Sequence, residues 1–281
     1  MVQIITDSAA DFEPWELEKL NVTCIPLTVA FDEQEYQENV NLSKAQFYEK
    51  LAAAQSLPKT AQPSPQILLD AFSAAAEKGD EAIYICLSSA LSGTYQSALM
   101  TVSMVDSRLC HVVDSRNATG GQRMIVEHAV KLRDAGKTAA EIVAEVELLR
   151  ERITLFACMD TLENLYMGGR ISHTTYKLGT MANIKPIITV DPTGSIQVPA
   201  KAIGLRRGMD SLCKMIEKAP VDPAFPFYVM YTDNRENART FAQVLQKAGM
   251  EIPEERIIQV GAAIGTHVGP NAVGYVYVSC L

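Results

Sequence analysis

The chain has 281 residues, 48% of them hydrophobic, which is enough for one large or two moderate cores. Its net charge of −8 and the absence of any long Lys/Arg run argue against nucleic acid as a partner. No stretch approaches roughly 18 consecutive apolar residues, so no membrane span is expected. The opening Met1-Val2-Gln3-Ile4-Ile5-Thr6-Asp7 has no basic start or signal core and reads as a first strand. Cys24, Cys86, Cys110, Cys158, Cys213 and Cys280 form no CxxC pair. Most lie in apolar segments and read as reduced core residues of a cytoplasmic protein.

In the first half, short apolar runs at 2–6, 22–31, 82–87, 110–113 and 154–159 predict strands, with helices between them. Ser43 with Gln46, and Thr138 with Glu141, are capping-box pairs that start two of those helices. This alternation predicts a mostly parallel sheet with helices on both faces. The second half differs. Segments 185–190 and 195–198 flank Asp191-Pro192-Thr193-Gly194, a hairpin signal. A helix at 206–218, a strand at 227–231, a helix at 236–248 and strands at 256–260 and 274–279 follow. The fold expected is α/β: an N-terminal α/β/α domain, 1–160, and a C-terminal α+β domain, 161–281. With no flexible linker between them, the two should pack closely around a cleft.

Five polar signatures punctuate this pattern, several directly after apolar runs, where α/β proteins build their sites. Ser88-Ser89-Ala90-Leu91-Ser92-Gly93-Thr94 joins a strand to a helix, and Ser92 is placed to cap that helix. Its spacing is neither a phosphate loop nor a nucleophile elbow. Thr60-Ala61-Gln62-Pro63-Ser64-Pro65 is a loop stiffened by two prolines. Gly168-Gly169-Arg170 sets a fork of donors beside flexible backbone, and Arg206-Arg207 after Gly204 adds charge. His267 lies between glycines in Gly265-Thr266-His267-Val268-Gly269-Pro270, read as a loop. Asp7, Asp11 and Asp114 follow strands without metal-ligand spacing and read as caps or turn formers. Hydroxyls, one guanidinium and one imidazole suit an anion better than a metal.

Taken in order, these signatures resemble the DegV family of fatty-acid-binding proteins, which includes the lipid-carrying subunit of bacterial fatty-acid kinase. The resemblance spans essentially the whole chain. It rests on Thr6-Asp7-Ser8 with Asp11, Thr60-Ala61-Gln62-Pro63-Ser64, Leu91-Ser92-Gly93-Thr94-Tyr95-Gln96-Ser97-Ala98, Gly168-Gly169-Arg170-Ile171-Ser172, Ile184-Lys185-Pro186-Ile187-Ile188 and Gly265–Pro270. It implies one long-chain fatty acid in a tunnel at the domain interface, its carboxylate held by Thr60, Ser92 and His267. It also implies that Arg170, with Arg206 as a second candidate, serves a partner or phosphoryl-transfer step. The partner would be an ATP-dependent fatty-acid kinase protein, and membrane contact at most transient. No catalytic residue, metal or cofactor beyond the bound lipid is implied. Ala61, Met167 and Ala118-Thr119-Gly120-Gly121 depart from the family pattern. The residue types also permit a serine-dependent hydrolase using Ser92 and His267, and a lipid-responsive sensor remains a third reading.

Overall fold

Ile4 and Ile5, adjacent in the first strand, bury into different cores, the signature of a sheet covered on both sides. A computed structural model describes residues 1–105, 108–177 and 183–280. The first strands are β1 (Val2–Asp7), β2 (Val22–Ile25), β3 (Thr28–Phe31), β4 (Gln34–Gln37), β5 (Lys59–Ala61), β6 (Glu81–Cys86) and β7 (Cys110–Asp114). Between and after them run α1 (Pro14–Leu20), α2 (Lys44–Ala53), α3 (Pro65–Ala76), α4 (Thr94–Val102), α5 (Thr119–Asp134) and α6 (Ala139–Arg150). A parallel sheet is ordered β2-β1-β6-β7. α3 and α4 bury Leu68, Phe72, Ala98 and Val102 on one face. α1, α5 and α6 bury Leu17, Ile125, Val126, Ile142 and Val146 on the other. Both capping boxes form, at Ser43/Gln46 and Thr138/Glu141.

The second half holds β8 (Ile153–Cys158), α7 (Glu163–Met167), α8 (His173–Lys177), β9 (Ile184–Val190), β10 (Ile196–Ile203) and α9 (Leu205–Ile216). β11 (Tyr228–Tyr231), α10 (Arg235–Lys247), β12 (Ile257–Gln259), α11 (Ala262–Val268) and β13 (Val273–Val278) complete it. Its mixed sheet is ordered β10-β9-β8-β13-β11-β12, with only β11 and β12 parallel. α9 and α10 cover one face through Met209, Leu212, Phe241 and Leu245. The other face packs on α5 and α6 of the first half through Met124 and Leu149. An added Cβ on Gly120 would lie 2.6 Å from Val276 Cγ1 and 2.9 Å from Met230 Sδ, so the glycine lets α5 sit close on the second sheet. The expected hairpin is β9–β10, and its turn lands on the first half, where Ser88 Oγ donates to the Gly194 carbonyl (2.9 Å).

Several boundaries differ from expectation. Sheet membership changes before β8, so the strand foreseen inside 1–160 belongs to the second sheet. The single strand foreseen at 22–31 is two strands in different sheets. Pro26, without an N–H, cannot extend the parallel ladder, and the chain turns there. β3 instead centres a small sheet ordered β4-β3-β5. The Gly265–Val268 stretch, read as a loop, is the body of helix α11. Gly265 is needed for packing: an added Cβ would meet Tyr48 Oη at 2.7 Å and Phe47 Cε1 at 2.8 Å. Cys280 is exposed, unlike the buried Cys86, Cys110 and Cys158.

Candidate functional site

The parallel strands end in loops that face the second sheet, and a cavity lies between them. Leu27 after β2, Leu87 after β6 and Ala118 and Thr119 after β7 form one side. Leu155, Ile188, Val190, Met230 and Val273 of the second sheet form the other. Ligands in open α/β sheets bind beyond the carboxyl ends of the strands in this way. The empty space, open solvent at the mouth included, is about 970 Å³. Its lining is mostly aliphatic, and its polar side chains are those of Thr60, Gln62, Ser92, Thr119, Arg170, Tyr231, Thr232 and His267.

Thr60, Ser92, Arg170 and His267 are each delivered by a distinct local device. Thr60 sits in β5, an edge strand paired to β3. The following Ser64 accepts from Ile67 N–H, and Pro65 opens α3, so the second proline starts a helix. Gly93, not Ser92, is the N-cap of α4; Ser92 Oγ accepts from Thr94 N–H at 3.3 Å and lies 2.9 Å from Thr94 Oγ1. An added Cβ on Gly93 would lie 2.8 Å from Gln62 Oε1, so the two loops touch. At the end of α7, Gly169 (φ +75°) donates to the Tyr166 carbonyl and Arg170 to the Leu165 carbonyl. That Schellman turn aims the Arg170 side chain at the first half. Its Nε donates to the Leu91 carbonyl (3.0 Å) and an Nη to the Gly168 carbonyl.

His267, near the end of α11, lies with Nε2 2.8 Å from Thr60 Oγ1. Its Nδ1 is buried without a hydrogen-bond partner among the described residues and faces Gly168, whose missing Cβ leaves room for the ring. Burial, aided by the Arg170 charge, lowers the His267 pKa to about 4. The imidazole is therefore neutral near pH 7. An unpaired buried acceptor is less costly than an unpaired N–H, which favours the proton on Nε2. In that tautomer Nε2–H donates to Thr60, and the Thr60 hydroxyl proton is free to point at a ligand. Burial also lowers the Arg170 pKa.

Thr60, Ser92, Arg170 and His267 therefore line one cavity. Arg206 is not among its lining residues. It is exposed at the start of α9, with Nε 3.7 Å from Asp210 Oδ1. Asp7 and Asp114 are not among the lining residues either. Asp7, buried, accepts from the backbone N–H groups of Ala9 and Leu87, the Tyr84 hydroxyl and Gln122, and burial raises its pKa. Asp114 accepts from Ser89 and Arg116 N–H. Asn164 and Glu38, near the site, carried no sequence signal, and Gly168 was read only as flexible backbone beside Arg170. Gly168 makes room for the imidazole, Asn164 donates to the Thr266 carbonyl (3.1 Å), and Glu38 holds the start of α11. Among the described residues, no group of three or more His, Cys, Asp or Glu is arranged to hold a metal ion, and no helix is long and apolar enough to cross a membrane.

The family model described as "Uncharacterised protein, DegV family" matches residues 1–279. The chain belongs to the DegV family. A DegV domain-containing protein of Caldanaerobacter subterraneus is 33% identical over 274 residues, 97% of each chain. Among solved structures, a fatty-acid-binding DegV family protein from Thermus thermophilus superposes with a TM-score of 0.89 at 26% identity, covering 99% of both chains. DegV from Bacillus subtilis, described as a fatty acid binding protein, gives 0.83 at 27% identity over 99% of both chains. The α/β architecture with a second α+β unit is thus that of the DegV family.

Proposed function

We propose that this DegV protein is a lipid carrier. It holds one long-chain fatty acid with the acyl tail in the aliphatic cavity and the carboxylate at Thr60, Ser92 and His267. The observation that carries this reading is the meeting of Thr60 and His267, 2.8 Å apart, at a cavity whose lining is mostly aliphatic. Burying about 14 methylenes at ~0.8 kcal/mol each offers about 11 kcal/mol gross. A buried carboxylate needs several donors, because leaving it unpaired is costly. The Thr60 and Ser92 hydroxyls supply two. Arg170 has N–H groups beyond the two used for Leu91 and Gly168, and its guanidinium adds favourable charge. The fatty-acid-binding descriptions of the Thermus and Bacillus relatives support the same ligand.

We also infer that the bound carboxylate is the group presented to an ATP-dependent kinase partner. A carboxylate oxygen would take the γ-phosphoryl group from ATP held by that partner, with ADP leaving. Arg170 at the site and Arg206 on the surface are the cations proposed for that step. This chain needs no resident cofactor for such a role.

A hydrolase reading is weaker. Ser92 Oγ lies against Thr94, whereas His267 Nε2 is engaged by Thr60. The experiment combines oleate titration calorimetry with an assay on p-nitrophenyl acyl esters. Carrier function predicts no ester turnover and weaker oleate binding in Ser92→Ala and in His267→Ala. Turnover abolished by Ser92→Ala would establish the hydrolase instead.

A further inference from the structure

Helix α11 carries His267 at one end, and its other end is gripped by carboxylates from the opposite half of the molecule. Gly261, its N-cap, has no side chain with which to cap. Asp11 Oδ1 accepts from Gly261 N–H (2.9 Å). Glu38 accepts from Ala262 N–H through Oε1 and from Ala263 N–H through Oε2 (3.3 Å). Both acids are 1% exposed. The fit leaves no slack: a Cβ on Gly261 would lie 2.1 Å from Glu38 Oε1 and 2.9 Å from Asp11 Oδ1.

The grip is itself tied to the walls of the cavity. Ser8 Oγ donates to Glu38 Oε2 (2.7 Å) and accepts from Leu27 N–H (3.0 Å). Glu38 N–H donates to the Leu27 carbonyl (3.0 Å), and Leu27 lines the cavity. Glu38 directly follows β4, and Thr60 is in β5, so both belong to the sheet ordered β4-β3-β5. α11 spans that sheet. Its first turn meets Glu38 beyond one edge strand, and His267 meets Thr60 on the other. The five helical steps from Ala262 to His267 rise about 7.5 Å. Two strand spacings are about 9.6 Å, and the Glu and His side chains bridge the difference.

We propose that Glu38 and Asp11 are positioning residues for the head-group site: by holding the N-terminus of α11 they fix where His267 stands against Thr60. Placing two carboxylates side by side in the interior is expensive. A helix that needed only a cap would be served by Ser or Asn at position 261. The partial positive charge of the helix start and its N–H groups offset part of that cost. Lys44 adds to the offset: its Nζ donates to the Asp11 carbonyl and to Glu13 Oε1, each at 2.8 Å. The arrangement instead couples the first half, the small sheet and the imidazole through one short rigid element.

The ligand part of this inference rests on the fatty-acid reading; the positioning is measured on the protein alone. In ligand-free protein, NMR titration of the His267 ring compares wild type with Glu38→Ala and Glu38→Gln. The expected result is a rise of at least one unit in the His267 pKa in Glu38→Ala, as the ring loses its fixed place, with Glu38→Gln between. Oleate calorimetry then completes a double-mutant cycle with His267→Ala. Glu38→Ala alone should weaken oleate at least tenfold, yet add less than about twofold in the His267→Ala background. An unchanged His267 titration in Glu38→Ala, or fully additive losses, would overturn the proposal. Should Glu38→Ala fail to fold, Glu38→Gln, which keeps one acceptor oxygen, carries both readouts. Unaltered oleate binding in His267→Ala alone would sink the head-group reading, and the ring titration would still decide the positioning.

Discussion

Replacing Gly168 by Ala puts a methyl group where the His267 ring now sits. The added Cβ would lie 2.2 Å from Nδ1 and 2.8 Å from Cε1. Non-bonded heavy atoms settle at about 3.5 Å or more, so the ring must give way by roughly 1.3 Å at Nδ1 or swing about its side-chain torsions. Either motion spoils the 2.8 Å contact with Thr60, since hydrogen bonds tolerate only a few tenths of an ångström. That contact orients the Thr60 hydroxyl toward the proposed carboxylate, and a hydrogen bond to such a charged group contributes about 1.5–3 kcal/mol. At about 1.4 kcal/mol per decade, Gly168→Ala should weaken fatty-acid binding roughly 10- to 100-fold. The fold should survive, because Gly168 has ordinary helical backbone angles (φ −73°, ψ −8°) that alanine adopts readily. Oleate calorimetry paired with a thermal melt is the assay. Wild-type affinity in a normally folded Gly168→Ala protein would refute the placement of His267 at the head group.

Gly265→Ala drives a methyl into buried Phe47 and Tyr48, and Tyr48 is held by its hydroxyl donating to the Val260 carbonyl. Overpacking costs about 1–3 kcal/mol and helix propensity returns about 1 kcal/mol. Calorimetric melting should fall by a few degrees; a higher midpoint would contradict the close packing of α11 on α2. The low His267 pKa has a signed consequence for stability. Between about 6.5 and about 4 the unfolded chain binds a proton that the folded ring refuses, so this contribution is lost as pH falls through that window. Two and a half units correspond to about 3 kcal/mol, and His267→Gln should show a correspondingly flatter acid limb in denaturant titrations. Glu38 and Asp11 act oppositely. Burial raises Glu38 to about 7 and Asp11 to about 6, so their contribution is full below the ordinary carboxylate range and is lost as pH rises through 6–7. Comparing variant with wild type cancels that background. In Arg170→Ala the His267 pKa should rise, since a neighbouring positive charge is removed; NMR showing no rise would place Arg170 too far to act on the ring.

The βα alternation was legible because strands buried on both faces leave continuous apolar runs, as in Ile83-Tyr84-Ile85-Cys86. The two capping boxes were legible because their chemistry is local. The small sheet was not: Gln34-Glu35-Tyr36-Gln37 and Lys59-Thr60-Ala61 are short, polar and mostly solvent-facing, with no periodicity to detect. The continuous apolar run around Pro26-Leu27 hid a change of sheet. α11 was hidden by its own glycine, since low helix propensity at Gly265 says nothing of the aromatic rings pressed against it. At the site, hydroxyl, imidazole and guanidinium motifs identified Thr60, Ser92, His267 and Arg170 as candidates, and the fold brings them to one cavity. Arg206 shares their chemistry but lies at the exposed start of α9. Glu38 acts through tertiary approach alone, which no local pattern encodes, and Gly168 stood in the Gly168-Gly169-Arg170 signature without any sign that its missing Cβ makes room for the His267 ring.

The central claim is that the apolar cavity is occupied by a fatty acid. Native mass spectrometry of the purified protein, repeated after denaturation and organic extraction, tests it most directly. The account predicts a one-to-one adduct that is released as a long-chain fatty acid. A bare protein that also takes up neither oleate nor palmitate would contradict it.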